Sequence, residues 1–217
     1  MLGLMEKDLR LTLTRKQTLL IFFVMALIMG ISVDGSFIIG YLTMFATIVA
    51  VGTISYDEFD NGFTFLMTLP FDRKTYVREK YLFSLILAAA AWCIGAILYC
   101  IGNVIRHNAI SPVNELPILL SLLPVLYLSA AIMIPLLLKY GSEKSRIVLF
   151  IIFGIIAIVL FGAKRFFSGS KTFLAGLTKT LDGMSPVVVL VTIAAACLLA
   201  VYVSYLLSIR IVEKKEF

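Results

Sequence analysis

The sequence predicts an all-α integral membrane protein: six transmembrane helices with the N- and C-termini cytoplasmic. Three observations carry this. Of 217 residues, 61% are hydrophobic and 15% charged, and the mean hydropathy is +1.03. A water-soluble domain is nearer half apolar and a quarter charged, so one aqueous core cannot hide this much apolar surface. Six stretches free of Asp, Glu, Lys and Arg run near Gln17–Val33, Phe37–Tyr56, Tyr81–Ile105, Leu116–Leu138, Ile147–Ala163 and Val187–Ile209. A crossing helix needs about 20 apolar residues, with a range of roughly 17–25. Finally, with a cytoplasmic N-terminus, fourteen of the nineteen Lys and Arg residues fall inside and five outside, the bias expected of inner loops.

The first sixteen residues, MLGLMEKDLRLTLTRK, place Leu2, Met5, Leu9 and Leu13 near helical spacing, with Glu6, Lys7, Arg10 and Lys16 mostly elsewhere. That pattern predicts an amphipathic helix over residues 1–16 lying in the inner interface. Basic residues before an apolar stretch also begin a secretory signal. No small-x-small cleavage site follows, so the reading is an uncleaved first helix. Spans one and two are joined by Asp34-Gly35-Ser36, a tight hairpin turn. Asp34 reads as a turn residue at the interface, with an ion or substrate contact as the alternative.

Spans two and three are joined by the stretch within Tyr56–Lys80, YDEFDNGFTFLMTLPFDRKTYVREK. Phe59, Phe63, Leu66, Met67 and Pro70 form one helical stripe. Asp57, Glu58 and Asp60 gather at its start, where the helix dipole favours negative charge. Gly62 weakens the helix or admits a close surface. Pro70 stops the element, and Asp72 is placed to cap a new helix entering span three. A short cytoplasmic helix tied at both ends to spans acts as a lever if a partner pushes it.

Prolines at 117, 124 and 135 in the fourth stretch read as kinks tolerated by packing. Beyond span five, Leu174, Leu177, Leu181 and Met184 predict a short outer helix, and Ser185-Pro186 starts the last span.

Catalytic groups are scarce. GSKT at Gly169–Thr172 fails as a phosphate loop because Ser170 stands where the second glycine is needed, and no glycine stands five residues before it. The sole histidine, His107, lies in an outer loop. Cys93, Cys100 and Cys197 read as small buried hydrophobes. With no nucleophile–base pair or acid at depth, the chain is not expected to be an enzyme or to bind a metal or cofactor itself. The net charge of +6 points to topology and anionic membrane lipid, not nucleic acid. Thr43, Thr47, Tyr127 and Ser129 read as helix-packing groups before path-lining ones. The chain therefore shows no energy source of its own.

Lys7-Asp8-Leu9, Asp57-Glu58 through Gly62, Thr68-Leu69-Pro70 with Arg73-Lys74, and Lys80-Tyr81 resemble the small permeases of type-2 ABC exporters. The motifs cover about the first eighty residues; span count and length extend the resemblance over the whole chain, 1–217, as a single permease domain. The resemblance implies an elbow helix at the inner interface and a coupling helix between spans two and three. It also implies a dimer of two permease subunits, here expected to be identical, and separate cytoplasmic ATPase subunits that bind the ATP. On that footing Asp57, Glu58, Phe59, Gly62, Phe63, Leu66 and Leu69 form the ATPase-coupling element. The expected location is a bacterial cytoplasmic membrane, and the cargo an apolar or amphipathic peptide, antibiotic or lipid-like molecule. The alternative is a membrane-embedded binding or immunity protein acting without an ATPase.

Overall fold

The computed structural model describes residues 1–32, 36–59, 62–105, 112–166 and 186–215. Every regular element among them is a helix: α1 (Leu2–Thr14), α2 (Lys16–Ser32), α3 (Ser36–Glu58), α4 (Gly62–Met67), α5 (Arg73–Ile105), α6 (Pro112–Phe166) and α7 (Pro186–Lys214). Asp34, His107, the GSKT stretch and the proposed outer helix lie outside the described residues.

Helix α3 sits at the centre. It packs on α2, α5 and α6, while α7 lies against α5 and α6. Small residues allow the close approaches that membrane helices use in place of a hydrophobic driving force. A side chain at Gly95 would come within 2.9 Å of the Ile39 Cα, so α5 meets the α3 backbone directly there. Ala46, Ala50, Ala88, Ala130 and Ala131 are buried. The larger core cluster joins Val51 and Ile54 of α3, Tyr76 and Val77 of α5, Tyr127, Ile134 and Leu138 of α6, and Val212 of α7.

Many polar groups within these helices find partners inside the protein, as a low-dielectric setting favours. Thr43 donates to the Ile39 carbonyl at 2.7 Å and Thr47 to the Thr43 carbonyl at 2.8 Å. Tyr127 donates to the Tyr81 carbonyl at 2.6 Å, and Ser129 to the Leu126 carbonyl at 2.6 Å. The Tyr81 hydroxyl lies 2.6 Å from Ser204 Oγ and 2.9 Å from Ser208 Oγ, and Ser204 bonds the Ala131 carbonyl. A narrow polar seam therefore joins α5, α6 and α7.

The described residues contain four helices long and apolar enough to cross a membrane, or five if α1 and α2, bent by 70°, form one broken span. The sequence counts six stretches, and the difference arises in two places. The first stretch is short and follows the bend. The fourth and fifth both fall in α6, whose 55 residues would measure about 80 Å as one straight helix, far more than a hydrocarbon core of about 30 Å. The expected connection between them is helical on both sides of a single break at Gly141, where φ is +76°. Only glycine takes that conformation without strain. Pro124 and Pro135 are carried inside the helix.

The cysteines correct one expectation. Cys197 is buried, but Cys93 and Cys100 lie on the outer surface of α5. A helix face turned to lipid accepts apolar residues as readily as a core does, so apolarity alone does not signal burial in a membrane helix.

Candidate functional site

Charged side chains of α1, α3 and α5 meet at the C-terminal end of α3. Helix α1 turns Leu4, Asp8 and Thr12 inward, a spacing of four residues on one face. Leu2, Leu9 and Leu13 of the expected apolar stripe lie on the exposed faces. Asp8 is fully buried. It lies 2.5 Å from the Lys80 ammonium of α5 and accepts a bond from Thr53 of α3 at 2.9 Å. Lys80 also lies 2.7 Å from Asp57, at the end of α3, and accompanies a Tyr76 hydroxyl that donates to Asp57 at 2.9 Å. Lys7 pairs with Asp57 and lies 3.1 Å from Asp8.

Two carboxylates and two ammoniums thus form a closed lattice linking α1, α3 and α5. Buried charges are tolerated only when paired and hydrogen-bonded, and this set is balanced. Partial burial opposes the charged form of Lys7, but Asp57 and Asp8 outweigh it and hold its pKa above the ordinary value. Glu79 is the odd member: it is buried, and neither carboxylate oxygen has a hydrogen-bond partner among the described residues.

Beside the lattice, Glu58 reaches α6. Its Oε2 accepts the Ser142 backbone N–H at 2.7 Å, capping the helix that restarts after Gly141. A Cβ at Gly141 would come within 2.8 Å of the Glu58 carboxylate, the far end of a flexible side chain, and the positive φ there favours glycine. Lys215 lies 3.8 Å from Glu58 and donates to the Leu138 carbonyl at 3.4 Å, just before the break. The Arg73 guanidinium lies 3.0 Å from the carbonyl oxygens of Val212, Glu213 and Lys215. Cations at these places complement the unsatisfied carbonyls of helix C-termini.

The expected coupling element is therefore divided. Asp57 and Glu58 form the last turn of α3, not the first turn of a new helix. There the helix dipole disfavours acids, and the lysines and the Ser142 N–H supply the compensation. Helix α4 is short, beginning at Gly62, where a side chain would meet the Asp57 carbonyl at 2.9 Å; Gly62 is required by that approach. Phe63 and Leu66 are buried, and Phe63 packs edge-on against Tyr76 with ring centroids 5.1 Å apart. Phe59 and Phe65, by contrast, are 65% and 68% exposed, and Leu69 is also exposed. Asp72 precedes α5, with its carbonyl accepting from Thr75 and Tyr76. An open groove runs between Phe59 and the Tyr140–Arg146 turn, lined also by Arg15, Tyr56 and Glu58.

Phe65, Lys7, Asp8, Thr53, Tyr76, Lys80 and Ser142 were not read as site residues from sequence. One signal was present: Asp8 and Thr12 share the α1 face with Leu4 at four-residue spacing.

A family model described as ABC-2 family transporter protein matches residues 3–213. The chain belongs to the ABC-2 transporter family. No curated protein and no solved structure matches it. As an ABC-2 family member it is a multi-pass membrane protein and a membrane component of a transporter.

Proposed function

We propose that this ABC-2 family chain is the permease subunit of an ABC exporter, driven by a separate ATPase that docks on the exposed face around α4. The observation that carries this reading is the ion lattice behind α4. Because Asp57, Lys80, Asp8 and Lys7 lock the ends of α3 and α5 to α1, a push on α4 moves those helices as one body rather than bending a loop.

The seven residues of the coupling element then divide by task. Phe59, Leu69 and Glu58 contact the ATPase, joined by Phe65. Asp57, Gly62, Phe63 and Leu66 hold the element against the bundle. The groove toward Tyr140–Arg146 extends the docking surface to α6.

Six crossings are supported by the pairing of levels along the helices. Helix α5 leaves the basic end at Arg73, and Trp92 donates to the Leu119 carbonyl of α6 at 3.0 Å farther along. The first half of α6 returns to the basic end at Gly141. Its second half leaves again, and α7 comes back to place Lys215 near Leu138. With α2 and α3 this gives an even count and both termini at the basic, cytoplasmic end. Leu2, Leu9 and Leu13 then face lipid, as an interfacial elbow helix requires. A pair of identical permease subunits with ATP bound by the partner ATPases completes the assembly, and the cargo is apolar or amphipathic.

The test is co-expression with the cognate ATPase and purification through a tag on this chain. Phe59→Ala, Phe65→Ala and Glu58→Ala are expected to weaken copurification and ATP turnover. Unchanged association and turnover in all three would count against the docking face. Cargo transport by the isolated chain in sealed vesicles, with no ATPase present, would defeat the reading outright.

A further inference from the structure

Between α5, α6 and α7 an apolar cleft of about 470 Å³ opens to the outside of the bundle. Leu82 and Leu85 of α5, Leu123 and Pro124 of α6, and Leu198 and Val201 of α7 line it. Arg78 is the only charged residue in the lining. It is exposed, and no ion pair or hydrogen bond holds it among the described residues. An apolar slot with a single unmatched guanidinium asks for a molecule with an apolar tail and one anionic head.

Length and charge together point to the occupant. From Tyr205 to Cys197 the lining spans about 12 Å along α7 at the helical rise, within one leaflet of a hydrocarbon core about 30 Å thick. That length matches a stretch of one hydrocarbon chain lying along the helices, and the guanidinium on the lining complements an anionic head.

We propose that this cleft binds one acyl chain of an anionic phospholipid, with the phosphate paired to Arg78. Arginine presents parallel donors to phosphate oxygens, and the exposed Tyr202 is part of the same lining. The site requires only that the chain be inserted in a bilayer; it does not depend on the ATPase-driven reading.

The test uses the full chain in phosphatidylcholine nanodiscs containing a minority of phosphatidylglycerol, with retained lipid counted by native mass spectrometry. Wild type is expected to retain phosphatidylglycerol in preference to phosphatidylcholine. Arg78→Gln should lower that retention roughly tenfold, as loss of a charged hydrogen bond implies. Leu198→Trp, which fills the cleft from an exposed position, should also lower it. Lys74→Gln, one turn away and outside the lining, should retain the lipid. Unaltered elution of the variants confirms their fold. A benzophenone amino acid replacing Tyr202 should photocrosslink to lipid. Equal retention of both lipids by wild type, or wild-type retention by both cleft variants, overturns the proposal. So does a photocrosslink to a second chain, or the absence of a lipid adduct.

Discussion

Removing Lys80 tests the lattice most directly. The Lys80→Met variant keeps much of the side-chain bulk but deletes the ammonium that lies 2.5 Å from Asp8 and 2.7 Å from Asp57. Lys7 alone then faces two carboxylates, leaving one uncompensated negative charge on a buried carboxylate. Breaking a buried pair in this way destabilises by about 3–5 kcal/mol. For a chain of this size each kcal/mol shifts the melting temperature by roughly 2–4 °C, so the expected loss is roughly 6–20 °C. The assay is thermal loss of the monodisperse peak in detergent, read by size-exclusion chromatography at one fixed heating time. Asp8→Asn should destabilise by a similar mechanism, since it leaves Lys80 with one carboxylate. Combining Asp8→Asn with Lys80→Met restores the balance, with Lys7 and Asp57 still paired. The double variant should therefore lose less than the two singles together, by about 0.5–3 kcal/mol. Single variants that melt with wild type, or a double variant whose loss equals the summed singles, would refute the claim that these charges act as one buried unit.

Other outcomes follow from the same geometry. Glu79→Gln removes a buried carboxylate with no hydrogen-bond partner among the described residues, so it should leave the melting temperature unchanged or raise it, opposite in sign to Asp8→Asn. Gly141→Ala puts a side chain on a backbone of positive φ. It should lower stability by about 1–2 kcal/mol of backbone strain, seen as a lower melting temperature. Phe63→Ala, in the core against Tyr76, should lose about 3–5 kcal/mol, whereas Phe59→Ala and Phe65→Ala should melt with wild type. Cysteines placed at Lys74 and Lys144 should resist an impermeant thiol reagent in intact cells and react after permeabilisation; labelling of both in intact cells would reverse the orientation.

Composition alone settled the solvent. A chain with this little charge folds where lipid, not water, covers its surface, and uninterrupted apolar runs of crossing length leave few options beyond helices. The positions of α3, α5 and α7 were legible because each run is long and bounded by charge. The α6 break was legible in place but not in form: Gly141 is visible in the sequence, but its positive φ and the Glu58 carboxylate that caps Ser142 appear only in the fold. A short helix between α3 and α5 was legible, yet its start at Gly62 and its inner and outer faces were not. Phe59, Phe63 and Phe65 are the same residue type, and only contact with Tyr76 separates the buried ring from the exposed two.

The ion lattice marks the limit of reading from sequence. Lys7, Asp8, Asp57 and Lys80 are visible as charges at the edges of apolar runs, where a solvated interface is the ordinary assignment. Periodicity relates residues within one helix. Charge pairing across three helices depends on how those helices pack, and that information appears only once α1 folds back onto α3 and α5. The sequence by itself determined that this protein lives in a membrane as a bundle of helices. The tertiary structure decided which of those charges are buried together, because a charge can leave water only where a partner from another helix is waiting.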